Sequence, residues 1–290
     1  MGDSVRRALF GPGGNGDAFL TAGLKSTLEA PTFVKAFGLD AYEFEAGRGL
    51  HTPPALLREI GMRGVAEGVR MSYHAPYFIS LSSVDPEKRH NSVRYIEESV
   101  SAARLLGAKT VVVHTGSAGK ISREEAMGLC RETLEMLVDE VDLSGVAVGL
   151  ETMGKKNQLG TLEEVIALCA ISPSFAPVVD FGHLNAREEG GVFRTADDYR
   201  RVFDAIGTAL GDEKAKNLHC HFSMIEWTGG GEKRHVTFAE REWGPPFEPL
   251  METIVREGLH PVIICESAGT QVEDALAMKK QYQSLTGEEK

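Results

Sequence analysis

The sequence predicts a single (β/α)8 TIM barrel over residues 1–290, an α/β fold, and three observations lead there. Short β-branched or apolar runs alternate with amphipathic helical stretches along the whole chain. Eight such runs occur, the number that closes a parallel barrel. No linker or break in composition divides them, so one core is expected.

The strand segments are 8–11, 41–45, 69–74, 110–115, 147–152, 176–180, 218–222 and 262–266. Helical patterns lie at 53–64, 86–106, 123–141, 162–170, 196–210 and 247–257. Local signals support the helix ends. Thr52-Pro53 is a helix-opening pair, and Gly107 and Gly258 are C-terminal stops. Ser122 with Glu125, and Thr161 with Glu164, have the spacing of capping boxes. An open doubly wound sheet would need a glycine fingerprint after the first strand. Gly11-Pro12-Gly13-Gly14-Asn15-Gly16 lacks the spacing for a dinucleotide or a P-loop.

Composition narrows the function. With 42% hydrophobic and 25% charged residues the chain reads as a soluble globular protein. No apolar run reaches the roughly 18–20 residues that span a bilayer, so no membrane partner is expected. No hydrophobic signal region follows Met1–Arg7, and the four cysteines, Cys130, Cys169, Cys220 and Cys265, form no CxxC pair. A reducing cytoplasm fits both. A net charge of −11 argues against a broadly basic nucleic-acid binder. It does not exclude a phosphate-binding site, because each bound divalent cation returns two positive charges.

Ligand-type side chains fall at the strand ends. The third strand ends in His74, the fourth in His114 and the fifth in Glu151. The sixth ends in Asp180 with His183 just beyond, the seventh reaches His221, and the eighth ends in Glu266. His235 stands in the long loop after the seventh strand. Each alone has an ordinary structural explanation, a hydrogen-bonded histidine or a helix cap. Together they would be costly to bury without partners. In a TIM barrel all these ends meet at one mouth, and metal ions satisfy them economically. A His, Asp and Glu set without cysteine suits zinc or manganese.

The ordered segments Ser72-Tyr73-His74-Ala75-Pro76-Tyr77, Val113-His114-Thr115-Gly116-Ser117, Leu150-Glu151-Thr152, Val179-Asp180-Phe181-Gly182-His183, His219-Cys220-His221-Phe222 and Cys265-Glu266-Ser267 resemble the endonuclease IV family of AP endonucleases. The likeness runs from the third strand to the eighth. Members of that family are TIM barrels with three zinc ions that cut DNA 5′ to abasic sites. The resemblance implies that His74 and His114 hold one zinc, with Glu151 bridging to a second. Asp180, His221 and Glu266 would complete the second, and His183 and His235 would serve a third. Two to three ions per chain follow. Tyr77 falls where the family has an aromatic near the damaged nucleotide.

Two departures stand out. Bacterial members carry Asp-Arg-His after the seventh strand, where this chain has Lys233-Arg234-His235. Glu232 is the candidate replacement ligand, brought to the metal by the flexible Gly229-Gly230-Gly231, with Lys233 turned away towards a phosphate. The loop Ala46-Gly47-Arg48-Gly49-Leu50 differs from the bacterial DNA-penetrating loop, leaving Arg48, Tyr77 and Arg234 as candidates for substrate contact.

The expected chemistry is phosphodiester hydrolysis on damaged double-stranded DNA. Glu151 would bridge the metals that activate water, and Glu266 would orient the nucleophile. A sugar isomerase or epimerase of the xylose-isomerase-like superfamily is the alternative. Such an enzyme would use Glu151, Asp180, His221 and Glu266 but would not need His74, His114, His183 and His235. A metal protein that has lost catalysis is the third reading. No protein partner can be inferred from the sequence.

Overall fold

The computed structural model describes residues 7–287; the reading of the first six residues lies outside it. Eight strands form the expected parallel sheet: β1 (Leu9–Pro12), β2 (Ala41–Glu45), β3 (Arg70–His74), β4 (Thr110–His114), β5 (Ala147–Glu151), β6 (Phe175–Asp180), β7 (His219–Phe222) and, after a hairpin, β10 (Val262–Cys265). Their order is β1-β10-β7-β6-β5-β4-β3-β2. The seam between β1 and β2 is drawn together by Asp40 N–H to Phe10 O at 2.8 Å and Gly14 N–H to Glu43 O at 3.0 Å. The chain is therefore a nearly closed TIM barrel.

The strands form where β-branched and apolar residues cluster, as in Thr-Val-Val-Val-His of β4, whose three valines are buried. The outer helices α3 (Pro54–Glu67), α4 (Pro86–Leu106), α5 (Arg123–Glu140), α6 (Leu162–Cys169), α8 (Ala196–Leu210) and α10 (Glu248–Arg256) follow the expected segments. Thr161 and Glu164 complete a reciprocal capping box, whereas Ser122 accepts from Glu125 N–H only. The α3 helix runs to Glu67, past the expected stop at 64. Its true end is Gly68, which supplies the left-handed conformation at φ 68°.

Five helices escaped the sequence reading: α1 (Asp17–Thr21), α2 (Ala30–Ala36), α7 (Phe181–Arg187), α9 (Asp212–Lys216) and α11 (Gln271–Thr286). The long loop after β7 is in fact an antiparallel hairpin, β8 (Met224–Thr228) and β9 (Gly231–Val236). Among the described residues no helix is long and apolar enough to cross a membrane. All four cysteines are buried and free.

Candidate metal centre

The C-terminal strand ends deliver their polar side chains to one mouth, as the parallel barrel requires. Glu151, at the end of β5, is the hub. Its Oε2 lies 3.5 Å from His74 Nε2 and 3.2 Å from His114 Nε2. Its Oε1 lies 3.1 Å from His221 Nδ1 and 3.3 Å from His183 Nδ1. Asp180 has two tasks. One oxygen caps α7 by accepting His183 N–H at 2.7 Å, and the other lies 3.3 Å from His183 Nδ1. Glu266 approaches His221 Nδ1 at 3.4 Å.

Among the described residues five groups could hold a metal ion: His74, Glu151 and His221; Glu151, Asp180, His221 and Glu266; His183, Glu232 and His235; and two that contain Glu43, one with His219 and His221 and one with Glu45 and Glu266. His114 joins through Glu151. Ligand atoms about 2.0–2.1 Å from a tetrahedral ion stand about 3.3 Å from one another. The spacings of 3.1–3.5 Å from Glu151 to His74, His114 and His221 fit that figure. Glu151 Oε2 and Asp180 Oδ2 are buried without a hydrogen-bond partner. Cations would satisfy these carboxylate atoms, so the residues present fit metal ions.

The electrostatics of the metal-free centre agree. Burial pushes the Glu266 carboxyl up to about 8, assisted by Glu151 and Asp180 and opposed by His221. Burial alone would lower His74, but Glu45 and Glu151 overcome it and hold the imidazole at about 10. His114 and His235 are shifted down, chiefly by burial. The centre thus holds displaceable protons where cations would sit.

The third group depends on an irregularity in the hairpin. Its register pairs Glu226 with Arg234 and Trp227 with Glu232, so Lys233 is an extra residue in a bulge. The extra residue changes the alternation, and Glu232 and His235 both come to His183; Glu232 Oε2 lies 3.5 Å from His183 Nε2. Gly154 makes the approach possible, because a Cβ there would meet Glu232 Cβ at 2.6 Å. The bulge does what the sequence reading assigned to the glycine run. Lys233 does turn away, but to Glu226 at 2.7 Å rather than towards a free anion site.

A cavity of about 620 Å³ opens above these groups, lined by His74, Tyr77, His114, Glu151, His183, Glu232, His235 and Glu266, with Glu45, Lys155 and Gln158 also on its wall. Tyr77 stands at the rim, 55% exposed. Arg48 and Arg234, both expected at the substrate, do not line it. Arg234 is tied to Glu226 at 2.6 Å and Glu240 at 3.2 Å on the outer side of the hairpin. Loop 153–158 is held by Arg187, which donates to the carbonyls of Met153, Lys155, Lys156 and Gln158.

On the strands themselves the sequence reading gave no role to Glu43 and Glu45 of β2 or to His219 of β7, and in the loop after β5 it missed Lys155 and Gln158. Glu43 is fully buried, with Oε2 2.9 Å from His219 Nε2 and Oε1 2.8 Å from His221 Nε2. Burial opposes its ionisation, but His221 and His219 outweigh that and hold it well below the usual carboxylate range. The signal was present in the sequence. Glu43 and Glu45, like His219 and His221, stand two apart on a barrel strand, which puts each pair on one face.

Comparison with known proteins agrees with this architecture. An uncharacterized protein of Methanocaldococcus jannaschii is 28% identical over 267 residues, covering 90% of this chain and 95% of that one. A protein named probable endonuclease 4 from Acholeplasma laidlawii is 39% identical over 193 residues, which span 65% of this chain and 64% of that protein. Endonuclease IV from Thermus thermophilus superposes with a TM-score of 0.67 at 21% identity, covering 97% of this chain and 100% of that chain. A D-tagatose 3-epimerase-like protein superposes with a TM-score of 0.70 at 19% identity, covering 97% and 98%. At these identities the two superpositions speak for the fold. A family model described as xylose isomerase-like TIM barrel matches residues 31–285, and on that match the chain belongs to this family.

Proposed function

We propose that the protein is a metal-dependent endonuclease that hydrolyses the DNA phosphodiester 5′ to an abasic site, with the whole chain, 1–290, as one barrel domain. The observation that carries this reading is the position of Glu151 among four histidines, His74, His114, His183 and His221. A site for one ion, built from Glu151, Asp180, His221 and Glu266, would need neither His74 and His114 nor the separate group of His183, Glu232 and His235. The ligand chemistry suits two to three zinc ions, with manganese as the other candidate. Bound there, such ions supply Lewis acidity and charge neutralisation for a phosphodiester.

The chain's own residues divide the remaining work. Glu266, beside His221 and facing the cavity, orients the attacking water. Tyr77 offers its ring at the rim to the exposed sugar of the lesion, and Lys155 offers a cation to the phosphate backbone. Four free buried thiols suit a reducing cytoplasm.

A second reading, a sugar epimerase, is favoured by one observation. The acidic Glu45 lines the cavity beside Glu266, which suits a neutral substrate better than a polyanion. Product analysis separates the two. The purified, zinc-loaded protein is given a duplex with one abasic site and, separately, a panel of ketoses. Incision leaving a 3′-hydroxyl on the 5′ side of the lesion supports the nuclease. Interconversion of a ketose with the duplex left intact overturns it.

A further inference from the structure

The interior of a TIM barrel is ordinarily filled by branched apolar side chains. Here the layer beneath the metal groups holds Glu43 and His219, both buried. Their place is best understood from how the histidines above them are oriented. Three are fixed through Nδ1. His74 Nδ1 meets the Ala75 carbonyl at 2.9 Å, and His183 Nδ1 meets the Thr152 carbonyl at 3.0 Å. His235 Nδ1 meets Ser223 Oγ at 3.0 Å and the Glu266 carbonyl at 3.1 Å.

His221 is turned the other way. Its Nδ1 faces the centre, 3.1 Å from Glu151 and 3.4 Å from Glu266, and its Nε2 faces Glu43 Oε1 at 2.8 Å. Both atoms are buried and neither has a hydrogen-bond partner among the described residues, so each is left to satisfy the other. The other oxygen of Glu43 is anchored by His219 Nε2 at 2.9 Å.

We propose that Glu43 is a positioning residue of the metal centre: it accepts the Nε2 proton of His221, which leaves Nδ1 bare towards Glu151, Asp180 and Glu266. The proposal rests on reading that site as a metal centre, and it does not depend on the substrate. A histidine bound to metal through one nitrogen needs its other nitrogen held, and a carboxylate does so while raising the basicity of the ring. His219 in turn stops Glu43 from rotating. The rival role is that Glu43, His219 and His221 hold an ion themselves. The separations of 2.8 and 2.9 Å from Glu43 to the two rings speak against it, being shorter than the spacing of about 3.3 Å between neighbouring ligands of a tetrahedral ion.

The test uses zinc affinity and histidine NMR, so a protein that cuts no DNA can still pass or fail it. Glu43→Gln keeps the shape and removes the charge. Competition with a chelator is expected to show zinc held at least about tenfold more weakly, with an unchanged number of ions per chain. Affinity within twofold of wild type overturns the proposal. So does the loss of one whole ion with the others still tightly held, because Glu43 would then be a ligand. If the variant does not fold, 15N-histidine spectra of the zinc-loaded wild type decide. Nε2 of His221 is expected to carry the proton and Nδ1 the metal; the reverse overturns the proposal.

Discussion

Glu232 and His235 lie three residues apart on one strand and still turn to the same side, towards His183. In a regular strand an odd spacing places two side chains on opposite faces. The bulge that accommodates Lys233 restores them to one face and sends Lys233 and Arg234 together to Glu226. The grouping of His183, Glu232 and His235 is thus a consequence of hairpin register.

An alanine inserted between Arg234 and His235 keeps the bulge but adds one residue between Glu232 and His235, which turns one of them off the shared face. This insertion variant should lose one metal ion per chain by elemental analysis, with the other sites filled. Deleting Lys233 removes the bulge but leaves Glu232 and His235 two residues apart on one face, so it should retain the wild-type count. Equal occupancy in both variants would show that register does not set the site.

Glu151→Gln tests the hub. It replaces a carboxylate shared by four imidazoles with a neutral amide. Loss of a key electrostatic group costs on the order of 10²-fold or more in rate. Single-turnover incision of an abasic duplex should fall by at least that factor; a loss below tenfold would exclude Glu151 from the bridging role.

Metal removal should destabilise the fold, because ions that bind only the folded chain contribute about 2.7 kcal/mol when free at about a hundred times Kd. For a chain of this size the midpoint of thermal unfolding should drop by about 5 °C or more on chelation. Reloading should also release protons at pH 7. Burial holds Glu266 at about 8, and the carboxylates around His74 hold that ring at about 10, so both are protonated in the metal-free centre. Calorimetric titrations in buffers of different ionisation enthalpy check this. Heats independent of buffer would contradict the arrangement.

Much of this was legible in the sequence for a physical reason. Strand ends converge in a parallel barrel, so His74, His114, Glu151, Asp180, His221 and Glu266 could be grouped from their positions alone. The interior floor was less legible. Glu43 sits between Tyr42 and Phe44 in what reads as an ordinary strand, and only its two-residue spacing from Glu45 marks the inward face. The hairpin was missed because Gly229-Gly230 reads as flexibility, although it joins two strands. Lys233 could not be assigned at all, since a bulge depends on pairing between strands that single-chain spacing does not reveal.

Asp40 supplies a pH test away from the centre. Arg7 lies 2.6 Å and Lys279 2.7 Å from its carboxylate beside the β1–β2 seam. Burial would raise this carboxyl, but the two cations outweigh it and hold it below its ordinary value. A group lowered on folding contributes stability above its unfolded pKa of about 3.9 and loses it as pH falls through the folded value. Asp40→Asn should therefore cost on the order of 2 kcal/mol at pH 7, where the buried Lys279 loses its carboxylate and keeps only the Gly38 carbonyl. The difference from wild type, measured by denaturant unfolding, should shrink below about pH 4. A constant difference across that window would refute the assignment.

The most direct measurement is incision of a duplex carrying one abasic site, with the protein as purified, after chelation, and after zinc is restored. The predicted result is a cut 5′ to the lesion, its loss on chelation, and its return with zinc. An intact abasic duplex under zinc-loaded conditions, or cutting that survives complete metal removal, would contradict the metal-dependent nuclease.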